Sequence, residues 1–153
     1  MPTSRNKISL KIRDEHFSIK SGIQAIRQHV KSNVSENNFK TWRDKLFELI
    51  NKMAAELSEH FEQEEDGGFM SDILKNVPQK KHAISQLKAE HEMMTQDISV
   101  IQRCIKETKS LDETQIVNLS HQINEFLDLL TAHEAAENLL LEDIYLRNKG
   151  LSG

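Results

Sequence analysis

The sequence predicts an all-α protein, an up-down-up-down antiparallel four-helix bundle. The 153 residues include only two prolines and five glycines, so long stretches contain no residue that would break a helix. Apolar residues recur at steps of three and four along four separate stretches, which is the pattern of helices that bury one face. The connections between them are mostly short, and short connections join antiparallel neighbours.

The first two predicted helices cover residues 7–33 and 36–66. The apolar stripe of the first consists of Ile8, Ile12, Ile19, Ile23, Ile26 and Val30. His16 fills the open step in this stripe, so this histidine is predicted to face the core. The stripe of the second helix ends with His60 and Glu64, which lie four residues apart and therefore on one helix face.

The last two predicted helices cover residues 80–109 and 112–147, after a connection at residues 67–79. The apolar residues of that connection suggest that it packs against the bundle. The third apolar stripe has His91 at a core step. The fourth has His133 and Glu137 at core steps and continues to Ile144.

The chain repeats one polar pattern, in which a histidine is followed after some forty residues by a histidine with a glutamate four residues later. The first copy is His16, His60 and Glu64, and the second is His91, His133 and Glu137. Corresponding residues are 73 to 75 positions apart, about half the chain, which indicates an internal repeat. In the predicted topology all six lie near one end of the bundle, at about one level.

Six imidazole and carboxylate groups at core-facing positions predict a site for two divalent cations. Burying such groups without compensation costs several kcal/mol for each charge, which is roughly the scale of whole-domain stability. Mutual hydrogen bonds in a metal-free network could supply part of the compensation. Two bridging carboxylates and two histidines per ion suit iron or manganese, while zinc is possible on ligand type but less expected. Such a set leaves open positions for oxygen, hydroxide or another small ligand.

The pattern resembles the hemerythrin-like HHE cation-binding family. The segments DEHF, EHFEQEE, AEHEMM and AHEAAENLL carry the resemblance, which extends from Ile8 to Tyr145. It implies a non-haem di-iron centre with an oxo or hydroxo bridge, bridged also by Glu64 and Glu137 and capped by the four histidines. It further implies oxygen binding or sensing, iron handling, or a response to nitric oxide or peroxide.

Two positions differ from the oxygen-carrying hemerythrins. Where the resemblance would place a second histidine four residues after His91, this chain has Thr95. Where it would place an aspartate five residues after His133, this chain has Asn138, with Glu137 one position earlier. The centre is therefore expected to coordinate less fully, or to recruit another group.

Four glutamates adjoin the candidate ligands. They are Glu59, Glu65, Glu90 and Glu134. Each is about 100° around its helix from the core face, so most are expected to be solvated. Among the four, Glu65 or Glu134 is the one expected to assist the centre.

Composition narrows the class of protein. A net charge of −4, with scattered basic residues and 5% aromatics, predicts no nucleic-acid partner. No apolar run is long enough for a membrane span, and a lone Cys104 fits a reducing cytosol, so a cytoplasmic, single-domain protein over residues 1–153 is expected. His29, His82 and His121 fall off the core steps and are expected to be exposed.

Three functions are compatible with these residues. The first is a di-iron protein that binds O2, NO or another small ligand, or senses or handles iron. The second is a di-iron enzyme that consumes peroxide or nitric oxide. The third is an interaction bundle without metal. The sequence lacks the HExxH, CxxC, GxxxxGK and GxSxG motifs, and none of the four core histidines has the ExxH partner of ferritin-like sites.

Overall fold

Helices account for most of the residues that the structure describes. The computed structural model describes the backbone of residues 4–152 and the side chains of residues 10–143. The elements are α1 (Ser4–Lys31), α2 (Phe39–Glu65), the short α3 (Phe69–Asn76), a 3-10 turn (Pro78–Lys80), α4 (Lys81–Glu107) and α5 (Glu113–Ser152). No β-strand occurs within residues 4–152. The predicted all-α class is confirmed.

The four long helices pack as the predicted up-down-up-down bundle. Helix α1 lies against α2 and α5, and α4 lies against the same two helices. Contacts pair the first half of α1 with the last turns of α2 and with the second half of α5, through Glu15 with His60 and His16 with Glu137. Consecutive long helices therefore run in opposite directions around one core.

Several helix ends differ from the predicted ones. Helix α1 covers Ser4–Lys31 and not 7–33, and α5 continues to Ser152, beyond the predicted end at 147. Helix α2 begins at Phe39 and not at 36, because Asn38 holds the preceding loop. Its Oδ1 accepts from the backbone N–H of Ser35 at 2.7 Å, and its Nδ2 donates to the carbonyl of Asn33 at 3.0 Å. Such local bonds compete with helix formation.

The predicted connection at residues 67–79 is itself largely helical. Gly68 has a φ of 98°, a left-handed conformation that glycine adopts without strain, and it turns the chain from α2 into α3. Apolar residues of α3 and of three long helices, α1, α4 and α5, form one cluster, called here the end cluster. It comprises Ile12, Phe69, Met70, Ile73, Ile84, Leu87, Leu140 and Leu141. The prediction that this connection packs against the bundle is confirmed.

A second apolar cluster fills the rest of the bundle and is called here the main cluster. Its members include Ile19, Ile23, Trp42, Leu46, Leu57, Met94, Ile98, Ile123 and Leu130. One layer of polar residues lies between the two clusters, since His16 lies between Ile12 and Ile19 on α1 and His91 lies between Leu87 and Met94 on α4. The predicted core positions Ile8 and Ile144 lie outside the residues whose side chains are described.

The helix surfaces are polar enough that none of the helices in the described residues could cross a membrane. A few large apolar side chains are exposed singly, with Phe17 the most exposed at 73%. Scattered exposure of this kind is ordinary on protein surfaces.

Candidate metal centre

The structure brings all six sequence-predicted side chains together. Each is at most 6% exposed. They form two overlapping groups, each with ligand atoms within 4.8 Å of one another. One group is His16, His60, Glu64 and Glu137, and the other is Glu64, His91, His133 and Glu137. Glu64 and Glu137 belong to both groups, so the two carboxylates lie between two pairs of imidazoles.

The Nε2 atom of each imidazole points toward the carboxylates of Glu64 and Glu137. The distance from His60 Nε2 to Glu64 Oε1 is 3.1 Å, and from His91 Nε2 to the same oxygen it is 3.3 Å. On the other carboxylate, Glu137, the distance from Oε2 to His16 Nε2 is 3.7 Å and that from Oε1 to His91 Nε2 is 3.9 Å. Glu137 Oε1 also contacts the Nε2 atom of His133.

The Nδ1 atom of each imidazole is hydrogen-bonded to a side-chain oxygen from another helix. The Nδ1–H groups of His60, His91 and His133 donate to Glu15 at 2.5 Å, Glu65 at 2.9 Å and Glu90 at 2.7 Å, respectively. His16 Nδ1 donates to Asn138 Oδ1 at 2.9 Å. Because these oxygens can only accept, the proton of each neutral ring is on Nδ1. Every Nε2 therefore has a free lone pair that points to the centre.

These outer contacts correct part of the sequence interpretation. Glu90 was expected to be solvated, yet it is half-buried and orients His133. Glu65, which was expected to assist the centre, is half-buried and orients His91. Glu59 is exposed, as expected. Glu15 was missed altogether, although it precedes His16 as Glu90 precedes His91, so the repeat itself contained the signal.

Polar atoms without hydrogen-bond partners test whether the residues fit a metal. The four Nε2 atoms and all four oxygens of Glu64 and Glu137 are buried without such a partner. Lone pairs of nitrogen and oxygen thus face one another at contact distance, which is unfavourable in a dry interior. Cations between the Nε2 atoms and the carboxylates would remove that cost, so the donor set fits bound metal.

Burial also determines protonation in the metal-free protein. Burial, with the neighbouring histidines, lowers the pKa of His60 from 6.5 to about 3. Burial lowers the pKa of His133 to about 4, although the hydrogen bond to Glu90 acts to raise it. The pKa of Glu64 is raised by burial. The His60 and His133 imidazoles are therefore neutral and able to accept a cation well below neutral pH.

The low pKa of His60 predicts a pH dependence of stability in the metal-free protein. The unfolded chain binds a proton here near pH 6.5 and the folded chain only near pH 3, so the contribution is complete above 6.5 and is lost as pH falls toward 3. We expect His60→Asn to flatten the decline in unfolding free energy between about pH 7 and about pH 5. Urea unfolding with a chelator measures this decline. The exposed His121→Asn is the control, and equal slopes in all three proteins would refute the assignment.

Glu134 differs from the other flanking glutamates. Its side chain is buried, with the residue 9% exposed, and its Oε1 atom has no hydrogen-bond partner. Burial raises the pKa of Glu134 to about 7. It lies outside both four-residue groups. Glu134 was one of the two flanking glutamates named as exceptions to the expected solvation, and its side chain is buried.

The remaining histidines divide into two kinds. His82 and His121 are exposed as expected, and His121 pairs with Glu125 one turn further on. The expectation for His29 is wrong, because it is half-buried, stacks on Trp42 and its Nε2 donates to the Trp42 carbonyl at 2.8 Å. Trp42 belongs to the main cluster, so this contact lies away from the candidate metal centre.

The contact between Glu90 and His133 predicts the effect of Glu90→Ala. Removing the acceptor frees the ring to rotate and to change tautomer, so the affinity for a divalent cation should fall about 10- to 100-fold. Competition with a chromogenic chelator under anaerobic conditions measures this affinity. The matched control is Glu92→Ala, since Glu92 is an exposed residue of the same helix. An unchanged affinity in Glu90→Ala would show that the contact does not orient the ligand.

Comparison with known proteins adds one match. No curated protein and no solved structure matches the chain. A family model described as the hemerythrin HHE cation binding domain matches residues 8–145, a span that includes all six side chains of the two groups. Because this model covers most of the chain, the protein belongs to the hemerythrin HHE cation-binding domain family.

Proposed function

We propose that the six side chains hold two iron ions and that the centre binds a small ligand such as O2 or NO, or senses or handles iron. The observation that carries this proposal is that Glu64 and Glu137 belong to both donor groups. Two carboxylates shared between two pairs of imidazoles suit a bridged pair of ions. A closed structural site would instead surround one ion with four ligands of its own.

The donor types support iron over the alternatives. Each position has two imidazole nitrogens and two carboxylate oxygens, a mixed set that iron and manganese accept readily. Zinc in structural sites prefers a closed tetrahedral set that often includes cysteine, and Cys104 belongs to neither donor group. Bound iron would supply redox chemistry and open coordination positions for a small ligand.

The surroundings of His91 and His133 suit a small apolar ligand. The Phe61 ring stacks on the His91 ring with centroids 4.0 Å apart, and its centroid lies 5.8 Å from that of His133. A surface cavity of about 510 Å³ between α2 and α4 reaches Phe61 and His91. Phe61 is buried between this cavity and the His91 ring, so an apolar side chain separates the donor groups from the cavity.

Two other functions are separated from this one by their expected behaviour. An enzyme that consumes peroxide or nitric oxide would use the same side chains. The Thr95 hydroxyl, one turn after His91, is already engaged, because its Oγ1 donates to the His91 carbonyl at 2.8 Å. A metal-free interaction bundle would leave the Nε2 atoms and carboxylates without partners.

Residues 1–153 are proposed to form one cytoplasmic domain.

Metal analysis and an anaerobic spectrum test the proposal. Protein purified anaerobically and reconstituted with Fe(II) should hold about two ions per chain by elemental analysis. A spectrum that appears with air and disappears on deoxygenation supports ligand binding. Immediate irreversible oxidation with catalytic loss of added peroxide supports the enzyme. Protein that takes up well under one iron or manganese ion per chain would refute both functions.

A further inference from the structure

The internal repeat pairs the surroundings of the two donor groups residue by residue. Across an offset of 73 positions, Glu65 corresponds to Asn138 and Phe61 corresponds to Glu134. Glu65 and Asn138 also have equivalent contacts in the structure, because Glu65 accepts from His91 Nδ1 and Asn138 accepts from His16 Nδ1. The two halves of the centre are therefore built alike, and any difference between paired residues separates them.

The pair Phe61 and Glu134 is such a difference. Phe61 covers the half that contains His91 and His133 with an aromatic ring. In the other half a carboxyl group is buried at the corresponding position, and its Oε1 atom has no partner. The repeat pairs Phe61 with Glu134 and His91 with His16, so the stacking of Phe61 on His91 indicates that Glu134 lies beside His16, a member of the first donor group.

The two halves of the centre have the same number of flanking carboxyl groups only if Glu134 is counted. The Nδ1 atoms of His91 and His133 both donate to carboxylates, those of Glu65 and Glu90. The Nδ1 atom of His60 donates to the carboxylate of Glu15, whereas that of His16 donates to the neutral amide of Asn138. Glu134 supplies the carboxyl that the Asn138 position lacks. A buried carboxylate without a hydrogen bond is costly unless a cation lies near it.

On the proposed function above, we propose that Glu134 is a third carboxylate of the metal centre, which stabilises the cation held by His16 and His60. Because it lies outside both donor groups, it acts beside the two bridging carboxylates and not in place of either. The two metal positions are then inequivalent, with an acidic group at one and the ring of Phe61 at the other.

Metal titration in two backgrounds tests this assignment. His91→Ala leaves the His16 position to be studied alone, and His16→Ala leaves the His91 position. We expect Glu134→Gln to weaken Fe(II) binding about 10- to 100-fold in the His91→Ala background and less than about threefold in the His16→Ala background. Anaerobic equilibrium dialysis with Fe(II) and elemental analysis measures both. The control is Glu125→Gln, an exposed glutamate of the same helix, which should change neither affinity.

A purely structural role for Glu134 predicts a different result. Thermal unfolding of the metal-free Glu134→Gln protein should then occur at a lower temperature than in the unchanged chain. Under the proposal it occurs at the same or a higher temperature, because a buried carboxyl group whose Oε1 atom has no hydrogen-bond partner is removed. Glu134→Leu, which also lacks the charge, should weaken Fe(II) binding at the His16 position as Glu134→Gln does.

The failures of the two proposals are distinguishable. If the unchanged chain takes up no Fe(II), the proposed function is wrong. If it binds two ions and Glu134→Gln leaves both affinities unchanged, or weakens both equally, only the assignment of Glu134 is overturned.

Discussion

Glu64→Gln should remove both metal ions from the protein. Glu64 belongs to both donor groups, and its Oε1 atom is 3.1 Å from His60 Nε2 and 3.3 Å from His91 Nε2. Glutamine has nearly the same volume but no negative charge, and its amide group presents N–H donors to a cation. We expect the metal content by elemental analysis to fall from about two ions per chain to well below one.

Variants of single histidines should have a smaller effect than Glu64→Gln. His91→Ala removes a donor from only one group, so it should lose at least one ion and also lower the stability of the loaded protein. Glu62→Gln is the matched control, because Glu62 is an exposed residue of the same helix and should keep both ions. A Glu64→Gln protein that retains two ions would contradict the shared-carboxylate arrangement, and unchanged metal content in His91→Ala would contradict that ligand assignment.

Removal of metal should lower the stability of the bundle by a large amount. Metal that binds only the folded chain stabilises it by about 4 kcal/mol per ion when free metal exceeds Kd about a thousandfold. For a chain of this size about 1 kcal/mol moves Tm by roughly 2 to 4 °C, so two ions should raise Tm by roughly 20 °C. Without metal, the buried Nε2 atoms and carboxylate oxygens face one another without partners.

Thermal unfolding with excess Fe(II), and again after chelation, measures this difference. The experiment must be anaerobic so that oxidation does not precipitate iron. The Glu64→Gln protein is the internal control, because it should show the same Tm in both conditions. If the unchanged chain also has the same Tm with metal and with chelator, the polar layer is stable without cations and the metal proposal loses its energetic basis.

These two predictions depend on the polar layer being enclosed. The main cluster and the end cluster lie on its two sides, and α3 contributes Phe69, Met70 and Ile73 to the end cluster. These three residues are each 1% exposed, so α3 adds to the apolar cover on this side of the layer. Water that reached the layer would hydrate the lone pairs and reduce the gain from binding a cation.

Helical phase explains why the inner residues were predictable. A residue at a core step of a long helix faces the bundle interior whatever the details of packing, so His16, His91 and the two histidine–glutamate pairs could be placed together from spacing alone. The repeat then indicated that both halves contribute alike, and the match of the family model to residues 8–145 confirms the resemblance.

Residues at the edges of the core face were not predictable in the same way. Glu15, Glu65 and Glu90 lie about 100° from the core direction of their own helices, where a side chain either reaches the neighbouring helix or enters water. The separation and rotation of the adjacent helix decide which, and neither is encoded in the spacing along one helix. The same uncertainty explains the burial of Glu134 and the contact of His29 with Trp42.

The sequence by itself determined the all-α class, the four long helices and the six side chains of the inner layer, because each follows from local periodicity. Only the tertiary structure decided that three glutamates and Asn138 orient the imidazoles, that α3 packs into the end cluster, and that Glu134 is buried. Those features depend on distances between different helices, which are set by side-chain packing across the whole bundle.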